Sequence, residues 1–219
     1  AKPITITATA GQTKEYGAQD PVFTYTPSEV LLAGNSFTGS LGRVANNNVG
    51  TYTYTTGDLS AGPNYELTVA GSTSFTITPK AINVTAAAKT KVYGTTDVPL
   101  TYAVTPSLLG GDSFTGTLNR AAGDNAGTYA ITQGTLSAGA NYVVTFVPAN
   151  YSITKADQVI TWNQTLVSDC GSSASIALTA TSTSGLGISF SSSNSKVATI
   201  VNNELVFVNP GSATITASQ

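Results

Sequence analysis

The sequence LLAGNSFTG at residues 31–39 recurs as LLGGDSFTG at residues 108–116. The similarity extends to residues 65 and 142, and 22 of the 35 aligned positions are identical. The repeat length of about 77 residues exceeds the roughly 20 to 50 residues typical of solenoid repeats. Each copy is therefore predicted to enclose a hydrophobic core of its own, as a small domain does.

Large apolar and small polar residues alternate along most of the first copy, which is typical of half-buried β-strands. Thr, Val, Ile and Tyr, which favour a pleated sheet, dominate these stretches. Turn signals such as Tyr16-Gly17 and Gly62-Pro63-Asn64 separate them. The pattern predicts an all-β fold for both copies. The predicted strands of the first copy are residues 4–7, 22–25, 51–54, 65–69 and 74–78.

One segment of each copy breaks the two-residue period. Ser28 is a suitable N-cap, residues 29–33 favour one turn of helix, and Gly34 is a typical stop signal. Residues 107–111 of the second copy are similar. The sequence therefore predicts a short helix in each copy. It leaves two folds open, a β-sandwich and a β-grasp-like sheet with a helix across one face.

The connections between the predicted domains are expected to be short. Residues 75–84 run from the last strand of the first copy into the second copy, and residues 151–160 do the same at the next boundary. Neither stretch contains a Gly/Ser spacer, so both connections are expected to be semi-rigid. The predicted domains are residues 1–79, residues 80–155 and a different, third domain at residues 156–219.

The third domain has six short apolar segments between Ser, Gly and Asn turns, which favours an immunoglobulin-like sandwich. Asn202-Asn203 is predicted to form a tight turn between two strands. Because such sandwiches have about seven strands, we expect the domain to lack its last strand. The predicted strands are residues 160–162, 175–178, 187–190, 197–200, 204–208 and 213–216.

The composition excludes several classes of function. Charged residues make up 9% of the chain and the net charge is −2, so we expect no basic surface for nucleic acid. No apolar run approaches the ~20 residues that span a bilayer, so we expect no membrane insertion of this segment. With no His and a single Cys, the chain lacks the usual general base and the commonest metal ligand. We therefore expect neither catalysis nor a cofactor.

Both copies share three polar residues that could form a site. A Lys and an Asn can be joined through an isopeptide bond with the assistance of a buried acid. The aspartates are better explained as residues that start turns by bonding their own backbone. The equivalent pairs are Lys14 and Lys91, Asp20 and Asp97, and Asn64 and Asn141.

The other candidate residues have structural interpretations. Asp112, Asp124 and Asn125 could help to hold Ca²⁺, although no loop gathers the three or more acidic oxygens that such a site needs. Cys170 is interpreted as an inert thiol, or as the partner of a cysteine outside this sequence. Tyrosines in alternating strands are expected to pack in the core rather than to stack on sugars. We therefore assign no catalytic, cofactor-binding or metal-binding residue, and the sequence identifies no ligand-binding residue.

Two motifs give the repeats a family resemblance. Residues 14–21, KEYGAQDP, and residues 91–99, KVYGTTDVP, resemble the tyrosine-glycine signature of the MBG-type repeats of large bacterial surface proteins. The Gly-Thr-Tyr and Asn-Tyr sequences downstream fit the same family, and the resemblance covers residues 1 to about 155. Residues 190–200, FSSSNSKVATI, and residues 211–216, GSATIT, are similar to a bacterial immunoglobulin-like domain.

The resemblance implies a long, modular, adhesin-like protein that is secreted and lies at the bacterial cell surface. The leading hypothesis is a structural stalk that projects a distal functional domain, with neighbouring repeats of the same polypeptide as its partners. Two alternatives stay open. One is a module that itself binds extracellular glycans or host surface proteins, and the other is an accessory spacer of a secreted polysaccharide-degrading enzyme.

Overall fold

The computed structural model describes residues 1–169 and 174–219. All of its regular structure is β-strand, and the chain forms two compact units, residues 1–154 and residues 155–219. Cys170 lies outside the described residues, so its predicted role stays a prediction. In the described part of the chain, no helix has the length and hydropathy needed to cross a membrane.

Repeat 1, residues 1–78, contains the strands β1 (Lys2–Ala8), β2 (Thr13–Glu15), β3 (Tyr25–Pro27), β4 (Gly42–Arg43), β5 (Gly50–Thr55), β6 (Tyr65–Val69) and β7 (Ser74–Thr78). They form two sheets. One has the strand order β3-β1-β6, with β1 and β6 parallel. The other has the order β2-β7-β5-β4, with β2 and β7 parallel.

The core of repeat 1 lies between these two sheets. β1 contributes Ile4 and Ile6 from one side, and β7 contributes Phe75 and Ile77 from the other. All four side chains are almost fully buried, because each strand turns every second residue inward. Repeat 1 is thus a small sandwich, and of the two folds that the sequence left open, the β-grasp-like sheet is wrong.

Repeat 2, residues 79–154, has the same topology. Its sheets have the orders β10-β8-β13 and β11-β12-β14-β9, and it encloses a separate core around Ile82, Val84, Tyr151 and Ile153. The prediction that each copy has its own core is confirmed. The strands are β8 (Lys80–Ala86), β9 (Lys89–Val92), β10 (Tyr102–Thr105), β11 (Asn119–Arg120), β12 (Gly127–Thr132), β13 (Tyr142–Val147) and β14 (Ala149–Thr154).

The short helix predicted in each copy is wrong. Residues 28–34 and 107–111 are extended and turn structure. The amide of Ser28 donates to the carbonyl of Thr5, and the amide of Leu32 donates to the Tyr65 hydroxyl. A run of about five helix formers cannot offset the cost of helix nucleation, so these tertiary hydrogen bonds determine the conformation.

The strand predicted at residues 22–25 is also displaced, because the observed strand begins at Tyr25. Phe23 precedes it and is buried in the core without strand pairing. The alternation of apolar residues there reflects burial of a loop against both sheets. The same signal therefore predicted the burial of Phe23 correctly and the strand boundary incorrectly, and Val22 is exposed.

The second unit contains the strands β15 (Ile160–Thr161), β16 (Ser175–Ala177), β17 (Thr181–Ser182), β18 (Ser189–Ser192), β19 (Ala198–Val201), β20 (Glu204–Phe207) and β21 (Ile215–Ser218). Leu178, Ala198 and Leu205 are its buried core, and Trp162 and Phe190 pack against them. Asn202 and Asn203 join β19 to β20 with φ of 48° and 62°. Two left-handed residues are the requirement of a type I′ hairpin, so the predicted tight turn is confirmed.

Candidate functional site

Each repeat holds an ion cluster on the sheet that contains β5 or its equivalent β12, in which the cations are buried and the carboxylates are partly exposed. In repeat 1 the cluster consists of Lys14, Asp20 and Arg43. The Arg43 guanidinium donates to both Asp20 oxygens, with Nε–Oδ2 at 2.7 Å and Nη2–Oδ1 at 3.0 Å. Lys14 Nζ lies 2.6 Å from Asp20 Oδ1. One carboxylate thus pairs with two cations, and the fork of Arg43 fixes its orientation.

Repeat 2 reproduces the cluster with Lys91, Asp97 and Arg120. Arg120 Nε lies 2.7 Å from Asp97 Oδ2, and Lys91 Nζ lies 2.5 Å from Asp97 Oδ1. A second carboxylate, Asp124, accepts from Arg120 Nη2 at 3.1 Å. The position equivalent to Asp124 in repeat 1 is Asn47, so the outer carboxylate is particular to repeat 2.

Aromatic rings cover both arginines. The guanidinium of Arg43 lies 5.3 Å from the ring centroid of Tyr52 and 5.2 Å from that of Phe75. Arg120 has the equivalent neighbours Tyr129 and Tyr151, at 5.5 and 5.2 Å. The side chains of Arg43 and Arg120 are only 6% and 14% exposed. Cation–π contact and ion pairing together satisfy the guanidinium, so the cluster acts as a structural lock.

Hydrogen bonds from the cluster cations lower the pKa of Asp20 and of Asp97. The hydrogen bond from Arg120, followed by that from Lys91, lowers the pKa of Asp97 to about 2. Arg43 and then Lys14 lower the pKa of Asp20 despite an opposing effect of burial. Both aspartates are therefore ionised at neutral pH.

These shifts predict acid sensitivity of the repeats. The folded-state pKa of Asp97 lies below the ~3.9 of an unfolded aspartate, so the stabilising contribution is complete above about pH 4 and is lost as the pH falls through about 2. We expect the thermal midpoint of the chain to fall over this window. Asp97→Asn should lower the midpoint at pH 7 and make its dependence on pH between 4 and 2 shallower. Equal pH profiles for the two proteins would contradict the assignment.

The structure corrects the interpretation of these residues. Asp20 and Asp97 bond the cluster cations, and neither side chain bonds its own backbone, so their role as turn starters is wrong. Lys14 and Lys91 pair with Asp20 and Asp97, so the contacts of the two lysines do not support the isopeptide pairing with Asn64 and Asn141. Asn141 instead lies at the contact between the repeats, where its amide donates to Asn48 Oδ1 at 3.0 Å.

The Tyr-Gly turn of repeat 1 forms the centre of this contact between repeats. The Tyr16 hydroxyl donates to Asp112 Oδ2 at 3.0 Å, and the Tyr16 ring meets the ring of Tyr142 edge-on, with centroids 5.5 Å apart. The Tyr142 hydroxyl donates to the same Asp112 oxygen at 2.6 Å. The bond to Asp112 raises the pKa of Tyr16, and burial raises that of Tyr142. We call this contact the joint.

Gly17 has a specific steric role in the joint. Its φ of +83° is left-handed, and a Cβ at this position would collide with the side chain of Leu109 in repeat 2. Glycine thus allows both the turn and the close approach of the two repeats. The Leu109 amide donates to the Tyr142 hydroxyl at 2.9 Å, which fixes the loop that receives Gly17.

Further polar contacts surround the joint. The amide of Val49 donates to Asn141 Oδ1 at 2.9 Å, and Lys80 Nζ lies 2.9 Å from Glu15 Oε1. Pro79 is the single residue between β7 and β8. The prediction of a short connection without a flexible spacer is confirmed at this boundary. Contacts from separate loops then restrict the rotation that a one-residue connection would otherwise allow.

Two clefts border the ion cluster of repeat 1. One, of about 660 Å³, is lined by Asp20, Phe23, Arg43 and residues 45–47, and the other, of about 560 Å³, lies beside the joint. Their charged groups are already paired within the protein. Among the described residues, no group of three or more His, Cys, Asp or Glu side chains is placed to hold a metal ion. Asp112 and Asp124, which were considered for Ca²⁺, bond tyrosines and cations instead.

Sequence reasoning missed Arg43 and Arg120, the residues that organise both clusters. A usable signal was present, since the chain has only nine Lys and Arg residues and this arginine recurs at the equivalent position. Tyr16 was recognised as part of a motif, but its contact with Asp112 was not. The partner lies in the other repeat, and a pattern within one repeat contains no information about it.

Comparison with known proteins agrees with this repeat structure. A family model described as MBG domain (YGX type) matches residues 4–76 and again residues 82–152. Both ranges include a Tyr-Gly pair, at residues 16–17 and 93–94. No curated protein matches the chain. The match lies within the first unit, and an immunoglobulin-like domain at residues 156–219 stays a prediction.

Proposed function

The chain belongs to the MBG domain (YGX type) family, and from this premise we propose that it is a structural stalk of a secreted bacterial surface protein. The stalk projects a distal functional domain from the cell surface and has no catalytic activity of its own. A stalk must be stiff, because its successive domains must keep a fixed orientation to hold a distal domain away from the cell.

The joint is the observation that supports this proposal most. A flexible linker would leave the two repeats without specific contacts, whereas Tyr16, Gly17, Leu109, Asp112 and Tyr142 form a polar and apolar contact at the boundary. The contacts connect residues more than 90 positions apart in the chain, as with Tyr16 and Asp112. Such a contact would fix the orientation of the two repeats in a stalk even if neither repeat binds a ligand.

The alternative function, a binding module, would require an exposed patch of Tyr or Asn that both repeats share. Tyr93 and Tyr102 are exposed in repeat 2, but the equivalent Tyr16 and Tyr25 are half-buried in repeat 1. The exposure of these tyrosines does not favour a tyrosine patch shared by the two repeats. The spacer of a polysaccharide-degrading enzyme has the same mechanical role, and a catalytic domain in the flanking sequence would distinguish it.

A binding survey of the whole chain tests the stalk proposal. We expect no specific binding on arrays of glycans and of host surface glycoproteins at micromolar chain concentrations, because the charged groups of both clefts are already paired within the protein. Heat-unfolded chain is the control for non-specific adhesion. Specific binding that the folded chain shows and the unfolded chain lacks would contradict the proposal and favour a binding module.

A further inference from the structure

Each repeat carries both halves of the joint, and within residues 1–154 only one half of each contacts the other repeat. The donor turn is Tyr16-Gly17 of repeat 1, and the acceptor face is Leu109, Asp112, Asn141 and Tyr142 of repeat 2. The equivalent donor turn of repeat 2 is Tyr93-Gly94. The equivalent acceptor face of repeat 1 consists of Leu32, Asn35, Asn64 and Tyr65.

The unused halves share several backbone hydrogen bonds and a glycine φ with the used ones. The amide of Leu32 donates to the Tyr65 hydroxyl at 3.1 Å, as the amide of Leu109 does to Tyr142 at 2.9 Å. Gly94 has a φ of +83°, the same value as Gly17. The donor turns are anchored alike, with the amide of Tyr93 bonding Thr154 and that of Tyr16 bonding Thr78. Each half therefore forms without its partner.

Burial differs as expected for one used and one unused surface. Leu32 is 68% exposed and Tyr93 is 51% exposed, whereas Leu109 and Tyr16 are half-buried. Asn35 and Asn64 are exposed, and their equivalents Asp112 and Asn141 are half-buried. A Cβ on Gly94, in the donor turn of repeat 2, would meet no atom within 4 Å, in contrast to Gly17. The exposure of Leu32, Asn35 and Asn64 shows that the acceptor face of repeat 1 is unoccupied within residues 1–154.

We propose that the acceptor face of repeat 1 binds the Tyr-Gly turn of another MBG repeat, in the head-to-tail arrangement seen between repeats 1 and 2. The occupant is identified by the chain itself, because the same surface on repeat 2 already holds such a turn. This inference rests on the joint that supports the proposed function, and it adds the partner that extends the joint to further repeats.

The residues of repeat 1 suit this occupant. Asn35 replaces Asp112, and its Nδ2 already donates to the Leu32 carbonyl at 3.1 Å, which leaves Oδ1 to accept a tyrosine hydroxyl. Lys2 occupies the place of Lys80, because each lies in register with the first residue of the neighbouring parallel strand. Lys80 forms an ion pair with Glu15, whereas Lys2 forms an ion pair with Glu29 of its own repeat. An incoming repeat with the sequence of repeat 1 would offer Lys2 its own copy of Glu15, whereas repeat 2 has Val92 at this position.

A fusion tests the inference in the intact chain. A copy of residues 1–78 placed directly before Ala1 gives the connection Thr78-Ala1-Lys2, which matches Thr78-Pro79-Lys80 at the natural joint. Leu32→Ala is then introduced at three places. They are the original repeat 1, which is now the second repeat of the fusion, the added copy, which is the first repeat of the fusion, and repeat 1 of the unmodified chain. Leu109→Ala, at the occupied face, is the benchmark in both proteins.

We expect Leu32→Ala to be neutral in the unmodified chain and in the first repeat of the fusion, where the residue is exposed. In the second repeat it should lower the thermal midpoint by about 2 to 4 °C, as Leu109→Ala does. Tyr16→Ala in the added copy should make Leu32→Ala neutral again. A neutral Leu32→Ala at all three positions, with Leu109→Ala destabilising, would overturn the inference and leave the stalk proposal intact. A neutral Leu109→Ala would contradict both.

Hydrogen exchange on the unmodified chain provides a measurement that needs no fusion. Residues 30–36 and 107–113 have equivalent hydrogen bonds, including those of Asn35 to Leu32 and of Asp112 to Leu109. Docking is the main difference between them, so we expect amides of residues 30–36 to exchange several-fold faster. Equal exchange would mean that the acceptor face of repeat 1 is not free, and would overturn the inference.

Discussion

Replacing Arg43 with alanine is expected to lower the free energy of unfolding of repeat 1 by about 3 kcal/mol. The guanidinium is 6% exposed, donates twice to Asp20, and lies over the rings of Tyr52 and Phe75. Its removal leaves Asp20 with Lys14 as its remaining cation and opens a cavity beside Phe75. Loss of both the ion pair and the packing explains why the expected effect is large for one surface-proximal residue.

Arg43→Lys is the matched control, because it retains the charge and loses the planar fork. We expect it to recover about half of the lost stability. All ten tyrosines precede residue 155 and the single tryptophan is Trp162, so tyrosine and tryptophan emission during urea unfolding report the two units separately. The tryptophan transition should not change. Equal stability of the alanine variant and the natural chain would show that the cluster contributes nothing.

Gly17→Ala is expected to destabilise the first unit more than Gly94→Ala does. Both glycines have a φ of +83°, so both substitutions carry the same backbone cost of about 1 to 2 kcal/mol. Only at Gly17 would the new methyl group meet the end of the Leu109 side chain, which must then move, and we expect this to add about 1 kcal/mol.

The comparison of the two glycines isolates the joint, because the local conformation is the same at both positions. The measurement is the urea midpoint of tyrosine emission for each variant. Gly17→Ala should also release the contact between Tyr16 and Tyr142, which near-ultraviolet circular dichroism of the tyrosines can detect. Equal losses of stability for the two variants would show that the approach of Gly17 to Leu109 contributes no energy.

The alternation of apolar and polar residues predicted those strands that bury every second side chain in the core. The segments 65–69 and 74–78 coincide with β6 and β7, and the internal repeat predicted the shared fold. The strands β2 and β4 were missed because they have only three and two residues, too few to display a period. They exist through pairing with β7 and β5, which are distant in sequence. β17, Thr181–Ser182, was missed because its sequence is polar throughout.

The candidate sites were less accessible to sequence reasoning than the fold. Lys14 and Asp20 were correctly noticed as a recurring pair, but the arginine that joins them follows Asp20 by 23 residues. The joint depends on contacts between repeats, such as Tyr16 with Asp112, 96 positions apart. Loop positions of this kind are determined by how two closed domains pack, and no local pattern encodes that packing.

The central claim is that the Tyr16-Gly17 turn holds repeats 1 and 2 as one rigid body. Residual dipolar couplings of backbone amides in the intact chain test this claim most directly, because they report the orientation of each repeat independently. We expect a single alignment tensor for residues 2–78 and 80–154, and a divergence of the two tensors in Gly17→Ala but not in Gly94→Ala. Two different tensors in the natural chain would contradict the claim.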